Sequence, residues 1–580
     1  MLWGFLLLAL IEVNPAVGQV PSHKFPKLAI QQTWVESGQN SIVDIVARFD
    51  LLQVKMSPEQ VQAVRQLNPN AIILPFDSMG EPRDKMPAIW NTSGKYTSER
   101  DIQDVTDQCP VYYGDGSYLN IPFDGKNFQE WKAEELVSWK GKGFDGVYVD
   151  LWYDWLYNPP PELTKDAYQK GMTHLAERMR TLWPDGIFIG NGASNLTHSF
   201  ALNGYYYEDY PIFVWPFESI FQTIDLWKKN GTSPVMIIIN QRSKGVNTPE
   251  DPSSTGEVKA NFWKRARYAV TLSMLWDETY VMFDYGSGGS PHWANPWFLD
   301  EFEVNVGEPV GPMRAIQDRV YFREFTNGAV ICNMSAHPVT VTASDLGGGV
   351  YYRFFGNQQP KFNNGQRFDQ VELDGWAFQK DSNKPIGDGI ILVKSPQVAV
   401  ADIILDDAGF DRNDWGTSMA PANNICGEFH QTGFKYDGLK YQVWQDAWRI
   451  HGHNTCYFTD PGDRQAVATW TPIIGYPGKY EIFEWHPTDS RFTRNAQFTI
   501  YDRNGGHKVV VNQSRNGGRW NSLGVYSLSV GKSNRIELRN GGDGILVADA
   551  IKLVFRGQDS QDLTPPSPPK GVKVEIKGRK

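Results

Sequence analysis

At 580 residues the chain is too long for one hydrophobic core and is expected to divide into several domains. Its 41% hydrophobic and 21% charged residues are the composition of a folded soluble protein, and a net charge of -10 with no Lys/Arg block argues against a nucleic-acid or anionic-membrane partner. Neutral and cationic substrates stay open, and 21 Trp, 25 Tyr and 31 Phe supply rings that either stack on sugars or fill cores.

The first residues, MLWGFLLLALIEVNPAVGQ, run apolar to Ile11 and then reach the small residues Ala16 and Gly18. They read as a signal peptide over 1–18, although no Lys or Arg precedes the apolar stretch; a buried N-terminal helix is the alternative. No other stretch approaches the ~18 continuous apolar residues of a membrane span, so a secreted or cell-surface protein without membrane insertion is expected.

Eight apolar runs follow: KLAIQQTW (27–34), FDLLQVK (49–55), AIILPF (71–76), FDGVYVDLW (144–152), GIFIGNG (186–192), GYYYED (204–209), VMIIINQ (235–241) and YVMFDYG (280–286). Helical patterns lie between most of them. Ser57, Pro58 and Gln60 spell an N-cap, a proline at the first helical position and a capping-box partner before VQAVRQL. Thr164 is placed to cap a helix through AYQKGMTHLAERMRTLW, and VKANFWKRARYAVTLSMLW has helical spacing before the eighth run. Eight β/α alternations predict a (β/α)8 TIM barrel over 19–308; a doubly wound open sheet is disfavoured because no glycine-rich phosphate loop follows the first strand. The long third connection (78–130) reads as an excursion over the barrel mouth.

After Pro309 the pattern turns to period two. RVYFREFTNGAVICNMSAHPVTVTA, VYYRFFG and DGIILVK predict an antiparallel β-domain packed on the barrel over 309–399. ATWTPII, KYEIFEWHP, AQFTIYD, HKVVVNQ, RIELRN and ILVADAIKLVF predict a second β-sandwich over 400–557, and 558–580 is a Pro-rich tail. The fold class is thus α/β plus all-β: a TIM barrel followed by two β-sandwich domains. Of Cys109, Cys332, Cys426 and Cys456 none forms a CxxC pair, and Cys426 with Cys456 is a candidate disulfide. Sequons begin at Asn91, Asn195, Asn230, Asn333 and Asn512.

Barrels of this kind carry their chemistry at the C-terminal strand ends. Here those ends read Trp34, Lys55, Asp77, Asp150, Asn191, Glu208 with Asp209, Asn240 with Arg242, and Asp284. Glycosidic cleavage needs two carboxylates across the bond, one to protonate the leaving oxygen and one to attack or to activate water. Asp150 and Glu208 are the candidate pair, each ending an apolar run beside aromatics. Glu208, among Tyr residues, is expected to be desolvated and to act as general acid/base; Asp150, near Asn191, is expected to stay ionised as nucleophile or base. Asn191, Trp152, Tyr206, Asp284, Trp34 and Arg242 are candidate substrate contacts, with Trp152, Tyr153 and Trp155 equally readable as packing. Asp77, Asp145 and Asp209 read as turn or cap residues. Two-carboxylate chemistry calls for no metal or organic cofactor, and no HExxH, GxSxG or Walker motif is present. A polysaccharide or oligosaccharide substrate follows; the alternative is a non-catalytic glycan-binding surface or adhesion protein built on a hydrolase-like barrel.

Two stretches carry family resemblances. GKGFDGVYVD, GNG and the Glu of YYYED resemble glycoside hydrolases with GFDGVYLD-type fourth strands, similar in layout to endo-α-1,4-polygalactosaminidases, over about 27–300. That resemblance implies a catalytic Asp at Asp150, a polar Asn at Asn191 and a catalytic Glu at Glu208. It does not carry the substrate over, because the first two strands and the third connection depart from the pattern. ATWTPIIGYPGKYEIFEWHP, VVVNQSRNGGRWNSLG and DGILVADAIKLVF resemble the golvesin or xanthan-lyase-associated carbohydrate-binding-like domain, which implies an accessory β-sandwich of secreted polysaccharide-processing proteins.

Overall fold

The computed structural model describes residues 25–32, 40–54, 56–79, 128–154, 165–192, 196–208, 217–242, 256–284, 298–375, 387–405, 434–443 and 455–559. The signal-peptide reading, most of the third connection, Trp34, Lys55, Trp155, Thr164, Asp209, Cys109, Cys426, the Asn91 and Asn195 sequons and nearly all of the Pro-rich tail lie outside them; of Arg242 and Asp284 only the backbone is described.

All eight predicted runs form strands of one parallel sheet in chain order: β1 (Ala29–Gln32), β2 (Leu51–Val54), β3 (Ile72–Ser78), β4 (Gly146–Asp150), β5 (Ile187–Asn191), β6 (Gly204–Tyr207), β7 (Met236–Arg242) and β8 (Thr279–Asp284). A bridge between Leu28 and Val281 joins the last strand to the first. Between the strands lie α1 (Asn40–Val46), α2 (Pro58–Leu67), α3 (Phe128–Leu136), α4 (Lys165–Leu182), α5 (Phe217–Asn230) and α6 (Gly256–Ser273). The predicted capping box opens α2: the Ser57 hydroxyl accepts from Gln60 N, and the Gln60 side chain accepts from Ser57 N.

Period-two alternation gives each strand one face for the helices and one for the barrel interior. In β4, Val147 and Val149 pack outward in the core shared with the helices, while Tyr148 packs inward with Leu51, Ile189, Tyr206 and Ile238. Followed around the barrel, the strand registers fall back about eight residues per circuit, the stagger of a closed (β/α)8 barrel. This stagger sorts inward residues into tiers drawn from alternate strands. Ala29, Leu74, Ile189 and Ile238 make an apolar tier; above it come Gln53, Tyr148, Tyr206 and Met282, then Gln31, Phe76, Asn191 and Asn240. Asp150, Glu208 and Asp284 fall on the rim. The barrel therefore passes from apolar to amide to acidic toward its C-terminal mouth.

Beyond the barrel, strands Arg314–Gln317, Val320–Glu324, Gly328–Asn333, Asp388–Val393 and Tyr352–Arg353 form an antiparallel sheet. It lies on α6, where Arg267 makes a two-pronged ion pair with Asp388 (3.0 Å for each bond) and where a Cβ at Gly389 would meet Thr271 Oγ1 at 1.9 Å. Asn333 in this sheet is wholly buried, and its amide donates to the carbonyls of His337, Leu373 and Asp374, so its sequon is not open to glycosylation in the folded chain. A four-stranded and a five-stranded antiparallel sheet then make the C-terminal sandwich. Its strand Asn521–Leu528 was not among the predicted strands, because Gly524 and the polar residues before it read as a turn.

Candidate active site

The rim is built by two adjoining turns. Immediately after Asp150, Leu151 takes a left-handed backbone (φ 59°), unusual for a bulky side chain. Trp152 N then donates to the Asn191 carbonyl (2.6 Å), while Leu151 N donates to Asp150 Oδ1 (2.9 Å). Gly192, just past β5, is also left-handed (φ 94°), and a Cβ there would come within 2.5 Å of the Tyr153 ring. The two strand ends are thereby held against each other.

Asn191 stands between the two acids. Its Nδ2 donates to Asp150 Oδ1 and to Glu208 Oε2, each at 2.8 Å, so those two carboxylate oxygens are no more than twice that distance apart. The three residues singled out in the sequence are brought together as expected. Burial, with the Glu208 carboxylate adding to it, pushes Asp150 up to about 6. Asp150 is thus desolvated and ionises less readily than a free carboxyl, while the Asn191 and Leu151 hydrogen bonds favour its ionised form.

Trp152 and Tyr206 do not offer themselves to a substrate. Trp152 is 0% exposed, and its indole N–H donates to His198 Nδ1 (3.2 Å), whose imidazole burial holds near 4 and hence neutral. Tyr206 is 1% exposed, inside the barrel, with its hydroxyl on Met282 Sδ (3.7 Å). Tyr206 is two residues below the rim on the inward face and so still in the barrel core, and Trp152, just past Asp150, packs into the core shared with the helices. Asp77 and Asp145 are structural as expected: Asp77 accepts from Ser78 N and lies near Lys132, and Asp145 accepts from Ile73 N and pairs with Arg65. Asp284 ends β8 on the same rim, in register with Arg242.

Sequence reasoning passed over Tyr148, Gln31 and Gln53 beneath the rim, which like the strand-end Asn240 are buried and inward. The signal was present as polar residues at the inward phase of otherwise apolar strands, visible only once the phase is known. Among the described residues no group of three or more His, Cys, Asp or Glu side chains is placed to hold a metal ion, and no helix is long and apolar enough to cross a membrane.

Fold and site define a (β/α)8 barrel with an amide-bridged carboxylate pair at its C-terminal rim, followed by antiparallel β-domains. Residues 439–555 match the Golvesin C-terminal domain. No curated protein matches the chain. Among solved structures the chain is similar to a Paenibacillus xanthan lyase (17% identity over 47% of this chain, TM-score 0.23), of whose length it spans only 28%. It is also similar to the glycoside hydrolase domain of PelA from Pseudomonas aeruginosa (10% identity, 47% of this chain and 96% of that one, TM-score 0.30). A third is Amy13B of Eubacterium rectale (8% identity, 66% of this chain and 99% of that one, TM-score 0.38). Likenesses this distant carry no argument, and the barrel rests on its own register.

Proposed function

We propose that the protein is a secreted glycoside hydrolase that cleaves a polysaccharide or oligosaccharide with Asp150 and Glu208. The observation that carries this reading is the single Asn191 amide donating to both carboxylates at the mouth of the barrel. Side chains joined in this way converge on one small volume, as acid and nucleophile must. A non-catalytic glycan-binding barrel has no need to hold two like charges together.

The spacing supports retention of anomeric configuration. Retaining enzymes hold the two carboxyl groups about 5–5.5 Å apart, and inverting ones about 6.5–9.5 Å to admit a water. An Asn191 amide spanning both oxygens matches the shorter class. With Asp150 pushed up to about 6, Asp150 is assigned the proton exchanged with the leaving oxygen, and Glu208 the attack on the anomeric carbon. This inverts the division of labour expected from sequence. The C-terminal sandwich is read as an accessory module, with sugar binding as its expected role.

A panel of neutral and amino-sugar polysaccharides, assayed with wild type, Asp150→Asn and Glu208→Gln, tests the reading. Each substitution is expected to lower turnover at least about 1,000-fold. The Asp150 variant should recover on aryl glycosides whose leaving group needs no proton. Cleavage that survives both substitutions, or products of inverted configuration, would count against the mechanism.

A further inference from the structure

Outside the barrel, on the middle antiparallel sheet, a cleft of about 430 Å3 opens between Arg353 and the segment 361–372. That volume falls in the range of small-molecule sites, roughly 300–1,000 Å3. The chain builds it by doubling back. Arg353 N donates to the Gln366 carbonyl (2.9 Å) and Phe368 N to the Tyr351 carbonyl (2.8 Å), so the two arms run antiparallel. The Arg353 side chain then ties the walls together, Nη1 donating to the Phe362 carbonyl (3.1 Å) and Nη2 to the Gln370 carbonyl (3.2 Å). Both partners are neutral, so the guanidinium is held in place without being neutralised. A guanidinium carries more N–H donors than these carbonyls use, and in a fork that matches a carboxylate.

The charge around it is out of balance. The Phe362 ring lies against two guanidiniums, Arg267 (3.9 Å to the ring centroid) and Arg353 (4.8 Å). Arg267 has Asp388 as its two-pronged partner. Arg353 has no carboxylate partner among the described residues, and burial, then the Arg267 charge, hold its guanidinium below the ordinary value. Lys361 and Arg367 line the same cleft and likewise make no ion pair among the described residues. By contrast Lys264 of α6 and Arg323 and Lys394 of the sheet each meet an acid. Asp369 and Glu372 are also on the wall, and neither pairs with the three cations. An anion seated on Arg353 would offset a desolvated positive charge that the fold leaves uncompensated. The rest of the wall suits hydroxyls: Asn364, Gln366 and Gln370 offer amide donors and acceptors, and the two acids offer acceptors.

We propose that this cleft binds a uronic-acid unit of an acidic saccharide, with its carboxylate on Arg353 and its hydroxyls on the amides and acids of the wall. The net charge of -10 does not oppose this, because exposed charges farther off than about 8 Å are screened at physiological ionic strength. The cleft shares no residue with Asp150 and Glu208 and stands independently of their role.

Saturation-transfer NMR on the full chain tests it, with D-glucuronic acid, D-glucose and acetate as probes. None has a glycosidic bond, so no turnover intervenes. Wild type is expected to bind glucuronic acid at least about tenfold more tightly than glucose or acetate. Arg353→Gln should lower that affinity about tenfold, and the exposed pair Lys361→Gln with Arg367→Gln about threefold. Asp150→Asn should leave it unchanged. Glucose binding as tightly as glucuronic acid overturns the acidic class, and acetate binding as tightly overturns the saccharide. Full affinity in Arg353→Gln, or its loss in Asp150→Asn, takes the ligand away from this cleft. Where thermal melts show Arg353→Gln to be unfolded, the exposed pair decides, and an unchanged affinity there overturns the proposal. An inactive wild type would sink the hydrolase reading and leave this binding result to stand alone.

Discussion

Asp150 illustrates how a candidate site residue works against the fold that holds it. Its carboxyl, ordinarily near 3.8, is pushed up to about 6, so the folded chain takes up a proton between those values and loses stability as pH rises through them. Above about 6 that loss is complete. Asp150→Asn removes the buried charge, and at pH 8 it should stabilise the protein by ~2 kcal/mol while abolishing activity. At pH 4, where the native carboxyl is already neutral, the gain should vanish; paired thermal melts at the two pH values check the sign. Leu151 next to it is a second local conflict. Leu151→Gly relieves a left-handed backbone worth ~1–2 kcal/mol, which should offset most of the packing lost with the side chain. Its melting temperature is therefore expected to lie close to wild type, with kcat reduced as Asp150 loosens.

At the scale of elements, the most reliable sequence signals were local ones with a stated mechanism. The Ser57–Gln60 capping box is such a signal, and Ser57→Ala should cost about 1 kcal/mol in a denaturant titration of the chain. The strands of the barrel were legible because both their faces are apolar, giving short continuous runs. The same property hid the inward tier, since a run apolar on both faces does not announce its phase. Tyr148 and Gln53 therefore passed as ordinary strand residues. Trp152 failed for the converse reason: aromatic crowding after Asp150 looks alike whether the rings face a ligand or the core, and the His198 contact that settles it lies 46 residues away. In the sandwich, the NQSRNGGRWN stretch buries Gln513, Gly518 and Trp520 and leaves Arg515 and Asn516 exposed. His486 faces both Glu484 oxygens and the Arg515 carbonyl, and Trp520 is buried against Trp485.

At the scale of the whole molecule, the parts are joined by buried polar groups. Asp300 accepts backbone N–H groups from Asn357 (2.7 Å), Gln358 (2.6 Å) and Ala401 (3.0 Å), tying the segment after the barrel to the middle sheet and to the start of the sandwich. Arg48, in the turn between α1 and β2, pairs with Glu303 and Asp402. Beside it the buried Lys552 of the sandwich lies over Trp520 (4.7 Å) and within electrostatic reach of Asp44 of α1. Arg48 precedes its strand, so this seam is at the N-terminal end of the barrel, away from the carboxylate rim. Desolvation holds Lys552 down at about 8 and Asp44 up at about 6, so between those values both are charged and each depends on the other. Lys552→Met should then destabilise the protein by roughly 3 kcal/mol at pH 7 and by clearly less at pH 5, where Asp44 is neutral without it. Melts at the two pH values would show it, and an equal loss at both would mean the pair is not the source.

The sequence by itself determined the eight strands, the change to antiparallel texture after Pro309 and the choice of Asp150, Asn191 and Glu208. Each of these is written in short-range pattern: runs, turns, and acids at strand ends. Only the tertiary structure decided that one amide serves both acids, that burial raises Asp150, that Trp152 and Tyr206 belong to the core, and that the sandwich docks far from the rim. Those are properties of phase, distance and desolvation. They arise when residues far apart in the chain close into one barrel, and no local window contains them.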